Sequence, residues 1–266
     1  MVEEYTFSYA GKNSDDYGII IGNVGELPET LVSGADSEII GDSITGRSSQ
    51  IVYGVQETNY LSFPLSLILP NNIDFKTVCE IKHWLFGQDK PQRLQFNHPD
   101  LQDYYYLCFL KYDNDYTDNC NYRVITLNVQ CVSPYAYMKD VTFTLTSGSV
   151  HNVSIQTEEL TGAKPKISFR VPSGVDEINI SNSIITPEIL IKSTDTKPIH
   201  QGDYVQINCQ NKIVLINSVP STKNIQLDET YGFITLYSGV NPIQINSSVP
   251  IEVTFSYTPT IRIGGV

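Results

Sequence analysis

The sequence is poor in basic residues. It contains 17 lysines and arginines against 29 aspartates and glutamates, which gives a formal net charge of -12 at pH 7. It also has no cluster of basic side chains, whereas a protein that binds nucleic acid neutralises phosphates with lysine and arginine concentrated on one face. The sequence therefore disfavours a nucleic-acid-binding protein and a protein that docks on anionic lipid.

Long apolar segments and paired cysteines are also missing. The N-terminus is acidic where a signal peptide is basic, and the charge-free run from Thr58 to Ile73 is broken by Pro64 and Pro70. We therefore expect neither an export signal nor a membrane-spanning segment. The cysteines are odd in number and form no CxxC pair, which argues against a disulfide scaffold and a zinc site. We interpret all five as reduced core residues: Cys79, Cys108, Cys120, Cys131 and Cys209.

The motifs of common catalytic sites are absent as well. The sequence contains no G-x-S-x-G elbow, Walker A loop, dinucleotide-binding glycine motif or H-E-x-x-H helix. Its four histidines lie far apart, and none is at metal-ligand spacing with a second ligand. The oxygen-rich segment Asp113 to Asp118 resembles a calcium loop only loosely, and we interpret it as a solvated loop between two strands. We predict no enzyme, no cofactor and no metal site.

Charge and composition divide the chain into two parts. Residues 1–140 contain 9 basic and 19 acidic residues, a net charge of -10, whereas residues 141–266 contain 8 and 10, a net charge of -2. We predict two domains, 1–140 and 141–266. The boundary is placed near residues 138 to 150, where Ser147-Gly148-Ser149 is the most linker-like stretch.

The second part shows the pattern of a β-sandwich. Short strand-like runs rich in isoleucine, valine and threonine recur at roughly ten-residue spacing with turn residues between them, and they include Phe233 to Tyr237. Many of these runs alternate with period two, as in Ile167 to Val171 and Ile251 to Tyr257, so that one face is buried and the other is wet. No helical period of useful length is present. This part therefore predicts two packed antiparallel sheets.

The first part mixes strand-like segments with one predicted helix. From Ile73 to Phe86, the apolar residues Phe75, Val78, Ile81 and Leu85 fall on one helical stripe. Asn72 is the predicted N-cap, and Gly87 is the predicted stop. We expect this helix to cover a strongly curved sheet of the split-barrel kind, and the predicted fold class of the whole chain is mainly β.

The first part is also dense in tyrosine, notably at Tyr104-Tyr105-Tyr106. Tyrosine is enriched at protein interfaces because it buries a large area at a small cost in entropy. Aromatic pairing across the strands of one sheet explains the same pattern equally well. Both interpretations stay open on the sequence alone.

The order of several short motifs resembles the distal tail protein (Dit) family of siphophages and related tail components. Taken singly the motifs are weak, but their order and spacing extend over some 130 residues. A later stretch, Ser238 to Pro242, is similar to a glycine-asparagine hairpin of the same family. A serine pair follows Gly46-Arg47 where the family usually has a further glycine. The motifs are Tyr17-Gly18-Ile19-Ile20, Leu27-Pro28, Gly46-Arg47, Ile81-Lys82-His83-Trp84-Leu85, Arg93-Leu94-Gln95-Phe96, Pro99-Asp100 with the tyrosines, and Val129 to Ala136.

The resemblance implies a hexameric ring at the distal end of the phage tail. The N-terminal domains would form a belt, and the C-terminal domains would be galectin-like sandwiches. Such a ring joins the tail tube protein to the tail-tip or tail-associated protein and carries receptor-binding proteins, while DNA only passes through its channel. The protein would be made in the host cytoplasm and reside in the virion. The residues proposed for the subunit or partner interface are Arg47, Trp84, Tyr104, Tyr105 and Tyr106.

Two other classes of function are weighed against this adaptor. One is a carbohydrate-binding surface protein that acts through the C-terminal sandwich, since sugars bind to aromatic platforms flanked by amides and acids. The only tryptophan, Trp84, lies outside that sandwich. The other is a hydrolase, which requires a nucleophile or a carboxylate pair in a cleft.

Overall fold

The computed structural model describes residues 5–22, 37–46, 48–57, 60–70, 73–117, 123–193, 198–227 and 230–262. These residues form two compact units. The first contains the described residues up to Met138 together with Arg262, and the second runs from Lys139 to Ile261.

The first unit is built from ten strands and one α-helix within the described residues. The helix α1 spans Phe75–Phe86, and a short 3₁₀ turn spans Ser14–Tyr17. The strands are β1 Thr6–Tyr9, β2 Lys12–Asn13, β3 Ile20–Ile21, β4 Ser37–Asp42, β5 Ile51–Glu57, β6 Ser62–Leu69, β7 Gln92–Asn97, β8 Tyr106–Thr117, β9 Arg123–Cys131 and β10 Ala136–Tyr137.

Seven of these strands form one sheet in the order β2-β1-β7-β8-β9-β6-β3. The sheet is open at β2 and β3, and the described strands do not close it into a barrel. Strand β9 lies inside the sheet, and five of its side chains are buried: Val124, Ile125, Leu127, Val129 and Cys131. Strands β4 and β5 pair with each other in a separate two-stranded sheet.

Helix α1 begins two residues later than predicted. Its N-cap is Asp74, whose carboxylate accepts a hydrogen bond of 2.8 Å from the backbone N–H of Thr77. Hydrogen bonding by the Thr77 side chain, and then by its backbone N–H, lowers the pKa of Asp74. The helix ends as predicted at Gly87, whose N–H donates to the carbonyl of His83. Of the predicted stripe, Val78, Ile81 and Leu85 are buried while Phe75 is exposed, and Asn72 lies outside the described residues.

The second unit contains eleven strands among its described residues. A short 3₁₀ turn spans Thr222–Asn224. The strands are β11 Val141–Thr146, β12 Val150–Ile155, β13 Lys166–Arg170, β14 Glu177–Asn182, β15 Ile185–Lys192, β16 Tyr204–Asn208, β17 Ile213–Ile216, β18 Val219–Pro220, β19 Gly239–Ser247, β20 Glu252–Tyr257 and β21 Thr260–Ile261.

Two antiparallel sheets of this unit form the predicted sandwich. One has six strands in the order β11-β20-β13-β16-β17-β18, and the other has four in the order β12-β19-β14-β15. Alternate residues of both sheets meet in one apolar core, for example Phe169 and Phe255 from the first and Ile180 and Ile245 from the second. Strands β11 and β20 pair along their whole length, from Val141 opposite Tyr257 to Thr146 opposite Glu252. The predicted mainly β fold class is confirmed.

Three local predictions were wrong. Ser147-Gly148-Ser149 is not a linker but a turn inside the second unit, where Gly148 has a positive φ of 97° and the chain passes from β11 to β12. The predicted loop after Tyr112 is strand instead, because β8 continues to Thr117 across a register shift between Tyr112 and Asn114. The predicted strand Phe233 to Tyr237 is irregular apart from an isolated bridge at Leu236.

Candidate functional site

The described residues offer no cluster of side chains typical of a metal site. No group of three or more histidine, cysteine, aspartate or glutamate side chains comes together in the part of the chain that is described. Within the same part, none of the helical segments has both the length and the apolar character needed to cross a bilayer. Exposed surfaces are therefore the features of this chain that call for a functional explanation.

The β4–β5 hairpin exposes apolar side chains on both of its faces. Val52 is the register partner of Gly41, which lies two residues from Ile39, so Ile39 and Val52 share one face. Tyr53 is skipped by a register shift between Ile40 and Gly41, and its hydrogen bond to Asp42, two residues from Ile40, places it with Ile40 on the opposite face. These four side chains are between 46% and 65% exposed. A two-stranded hairpin with no covered face is marginally stable in water, and clustered exposed apolar side chains mark interaction sites.

A hydrogen bond at the end of the hairpin orders part of this surface. The Tyr53 hydroxyl donates to the Asp42 carboxylate over 3.0 Å. Asp42 is the register partner of Ile51, which lies two residues from Tyr53, so the bond runs along one face. The hairpin thereby presents a tyrosine ring in a fixed position, which lowers the entropy lost when a partner covers it.

The three consecutive tyrosines have different environments. Tyr106 is buried in β8, where its ring packs edge-on against Phe63 and Phe96 at centroid distances of 5.8 Å and 5.9 Å, and its burial raises its pKa. Tyr105 is half-buried, with its ring stacked on Tyr137 at 5.5 Å. Tyr104 is half-buried too. Tyr106 is thus a core residue of the kind that cross-strand pairing predicts, and it offers almost no surface to a partner.

Arg93 extends the surface at Tyr105. Its guanidinium lies 3.9 Å from the centre of the Tyr105 ring, within the range of a cation–π contact. Arginine and tyrosine are both enriched where proteins bind one another. Arg93 and Tyr105, with the half-buried Tyr104 next to Tyr105 in the chain, therefore form a second, partly exposed aromatic patch on the first unit.

Trp84 is part of the core of the first unit. Its indole is 3% exposed, and its Nε1–H donates to the backbone carbonyl of Tyr9 over 2.8 Å. The ring stacks on Phe7 at 5.9 Å and on Tyr17 at 5.3 Å. This side chain therefore fixes helix α1 to the sheet and leaves little area for an intermolecular contact. Arg47, the remaining predicted interface residue, lies outside the described residues.

The outer face of the six-stranded sheet carries a groove lined by both apolar and polar groups. It consists of two cavities of about 270 Å³ and 550 Å³ that share Ser168 and Thr254. Ser168, Gln206 and Thr254 alternate with core residues of the same strands, which places their side chains on the outer face. Near one end, the Arg170 guanidinium lies 5.4 Å from the centre of the Tyr204 ring. Gln206 lines the first cavity and Glu252 the second.

The cysteines depart from the prediction in one respect. Cys108, Cys131 and Cys209 are buried and free, as expected of reduced core residues. Cys79 is exposed on helix α1, so the prediction was wrong for this residue, because only one stripe of the helix faces the sheet. Cys120 lies outside the described residues.

Family models match both parts of the chain. A model described as the phage tail protein N-terminal domain matches residues 2–133. A model described as the siphovirus-type tail component, C-terminal domain, matches residues 161–260. The chain belongs to the siphophage distal tail protein (Dit) family. This membership makes it a structural component of a siphophage tail.

A solved structure of the Dit family shares the fold. The crystal structure of the SPP1 Dit protein, reported as a paradigm of the hub adsorption apparatus in phages that infect Gram-positive bacteria, aligns with a TM-score of 0.72. The alignment covers 97% of this chain and 100% of that chain at 15% sequence identity. At this identity the likeness shows the fold alone. No curated protein matches the sequence significantly.

The sequence reasoning that identified the Dit family missed the β4–β5 hairpin as a candidate site. The sequence signal for this site was the occurrence of two apolar residues in a row, at Ile39-Ile40 and again at Val52-Tyr53. Adjacent residues of a strand point to opposite faces, so two consecutive apolar residues predict that both faces are covered. The described residues of this chain cover neither face of the hairpin fully. We therefore expect another molecule to cover these side chains.

Proposed function

We propose that six copies of the chain form a ring at the distal end of the siphophage tail. The ring joins the tail tube protein to the tail-tip or tail-associated protein and carries receptor-binding proteins. Residues 1–140 form the ring, and residues 141–266 supply galectin-like sandwiches. The protein has no enzymatic activity, and DNA passes through the channel without specific binding. It is made in the host cytoplasm and functions in the virion.

The exposed β4–β5 hairpin is the observation that carries this proposal. A ring is closed by a head-to-tail interface, in which each subunit presents one surface to each of two neighbours. A hairpin with Ile39 and Val52 on one face and Ile40 and Tyr53 on the other supplies apolar area for such a contact. The patch of Tyr104, Tyr105 and Arg93 supplies a further surface for a neighbour or another tail protein.

The charge of the first domain supports the role of the channel. Residues 1–140 carry a net charge of -10, nearly all of the -12 of the whole chain. An acidic ring repels the phosphate backbone, so DNA moves through it without adhering. A net negative charge of this size is unsuited to a ring that binds DNA tightly.

The mass of the purified protein in solution tests the ring. We expect light scattering at several concentrations to give the mass of six 29.8 kDa chains. The hexameric mass should persist on dilution if the apolar hairpin contacts are buried in the ring. A mass of one chain at every concentration would contradict self-assembly into a ring.

A second candidate function is saccharide binding by the groove on the outer face of the six-stranded sheet, and we propose it on the polar and aromatic side chains that line this groove. Ser168, Gln206 and Thr254 offer hydroxyl and amide groups that match sugar hydroxyls, and Tyr204 offers an aromatic ring. The larger cavity lies within the range of about 300–1,000 Å³ that is typical of ligand sites.

Replacing Gln206 with alanine is expected to weaken saccharide binding about tenfold, since one hydrogen-bonding side chain is lost from the site. The probe is a panel of neutral and acidic oligosaccharides, followed by calorimetry with any that bind. Gln244→Ala is the matched control, because Gln244 is a half-buried glutamine of β19 in the other sheet. An absence of binding across the panel would exclude this second function and leave the ring proposal untouched.

A further inference from the structure

Two buried cysteines lie directly opposite each other in the sheet of the first unit. Cys108 of β8 is the register partner of Cys131, the last residue of β9. The N–H of Val132 donates to the carbonyl of Leu107 over 2.9 Å. This bond joins the residues on either side of the pair, so Cys108 and Cys131 form a non-hydrogen-bonded pair, the closer of the two kinds in an antiparallel ladder.

The spacing of such a pair suits a disulfide. Cβ atoms of directly opposed residues lie about 4.5–5.5 Å apart, with the non-hydrogen-bonded pairs at the short end, and a disulfide needs about 3.5–4.5 Å. The thiol of Cys108 is in hydrogen-bonding contact with that of Cys131. A small approach of the two strands therefore joins the sulfur atoms without any change of register.

We propose that Cys108 and Cys131 are a modification site that oxidises to an intrachain disulfide linking β8 to β9. The chain is made reduced, and the link forms once the protein meets an oxidising medium outside the cell. That timing rests on the proposed function, since it requires a virion location. The pairing of the two cysteines rests on the sheet register alone.

The oxidant is a small-molecule disulfide such as oxidised glutathione. The thiolate of Cys131, the more exposed of the pair at 6% against 0% for Cys108, attacks a glutathione sulfur and forms a mixed disulfide with release of one glutathione thiol. The thiolate of Cys108 then attacks the Cys131 sulfur and releases the second glutathione thiol. The two protein thiols lose two protons and two electrons, and one oxidised glutathione becomes two reduced molecules.

The surroundings of the pair make this oxidation slow. The hydrogen bond with Cys131 and burial hold the pKa of Cys108 well above its usual range, so little thiolate is present. Reaction therefore proceeds when the end of β9 opens locally at Cys131. Oxidation over hours rather than seconds is expected, which keeps the chain reduced during synthesis and assembly.

The test is oxidation of the folded full-length chain with oxidised glutathione, read by intact mass and by peptide mapping without reductant. We expect the loss of two hydrogens per chain and one linked pair of peptides that contain Cys108 and Cys131. The thermal unfolding midpoint of the first unit should rise by roughly 5–10 °C, because the link closes a loop between residues 108 and 131. Reductant should reverse both changes.

Matched variants separate this pair from the other cysteines. Cys108→Val and Cys131→Val should each abolish the link and the rise in midpoint, whereas Cys209→Val and Cys79→Ser should leave both intact. A folded chain that keeps all its thiols, a link that forms only after denaturation, or a link that involves Cys120 would each overturn the proposal. These readouts do not depend on the number of chains in the ring, so failure of the hexamer and failure of the disulfide are distinguishable.

Discussion

Replacing both Ile40 and Val52 with threonine is expected to leave the purified protein as single folded chains at concentrations where the unaltered chain forms a ring. The two side chains lie on opposite faces of the β4–β5 hairpin and are about half exposed in the single chain. Burying each at a neighbour contributes about 1–2 kcal/mol, so their loss weakens every subunit contact by roughly 30-fold or more. Light scattering against the unaltered chain measures the effect.

Threonine is chosen because it retains the branched side chain that strands favour, so the hairpin itself should persist. The matched control replaces Val150 and Val240, two exposed valines of the second unit, with threonine. This control should assemble like the unaltered chain. A hexamer of unchanged stability in the Ile40 and Val52 variant would remove the hairpin from the ring interface.

Replacing Trp84 with alanine is expected to cost about 3–5 kcal/mol in the free energy of unfolding of the first unit. The change opens a cavity between Phe7 and Tyr17, and it removes the donor to the Tyr9 carbonyl. Helix α1 would then lose one of its four buried side chains. Urea unfolding followed by circular dichroism measures the loss.

Trp84→Phe is the control that separates the packing of the Trp84 side chain from the hydrogen bond donated by its indole N–H. It keeps aromatic packing and removes only the hydrogen bond to Tyr9, so we expect a smaller cost of about 1–3 kcal/mol. If Trp84→Ala unfolded with unchanged stability but failed to assemble, the original assignment of Trp84 to an interface would be supported over the structural role.

The sandwich could be predicted from the sequence because buried and exposed residues alternate along its strands. In β13 and β20 alternate residues are buried, so the pattern of Ile167 and Phe169 or Val253 and Phe255 is visible along the chain. Helix α1 was predictable for the same reason, since one stripe is apolar and a glycine follows it. Local periodicity is therefore enough where an element buries one face and ends at a turn residue.

The wrong loop and linker predictions arose where contacts between distant parts of the sequence determine the backbone conformation more strongly than local turn propensity does. Asp113 and Asn114 favour a turn in isolation, but pairing of β8 with β9 carries the strand on through a bulge. Ser147 and Gly148 resemble a linker, yet their N–H groups donate to the carbonyls of Ile251 and Ile245. These partners lie about a hundred residues away, and no local pattern contains them.

The candidate surface was harder to predict than the fold. An exposed isoleucine and a buried one are identical in sequence, and only the isolation of the β4–β5 hairpin from the other described strands reveals the difference. The tyrosine run shows the same limit, because Tyr105 and Tyr106 are neighbours in sequence while one lies against Arg93 and the other in the core.

The pairing of β11 with β20 makes the second unit suited to exchange as a whole domain during evolution. Because Val141 lies opposite Tyr257, the chain enters and leaves this unit at the same end of one strand pair. Closely spaced ends allow a whole domain to be exchanged or enlarged as a module without rerouting the chain that flanks it. Recombination among phage genomes is therefore expected to replace the sandwich as a unit, while the residues proposed to form the ring stay under separate selection.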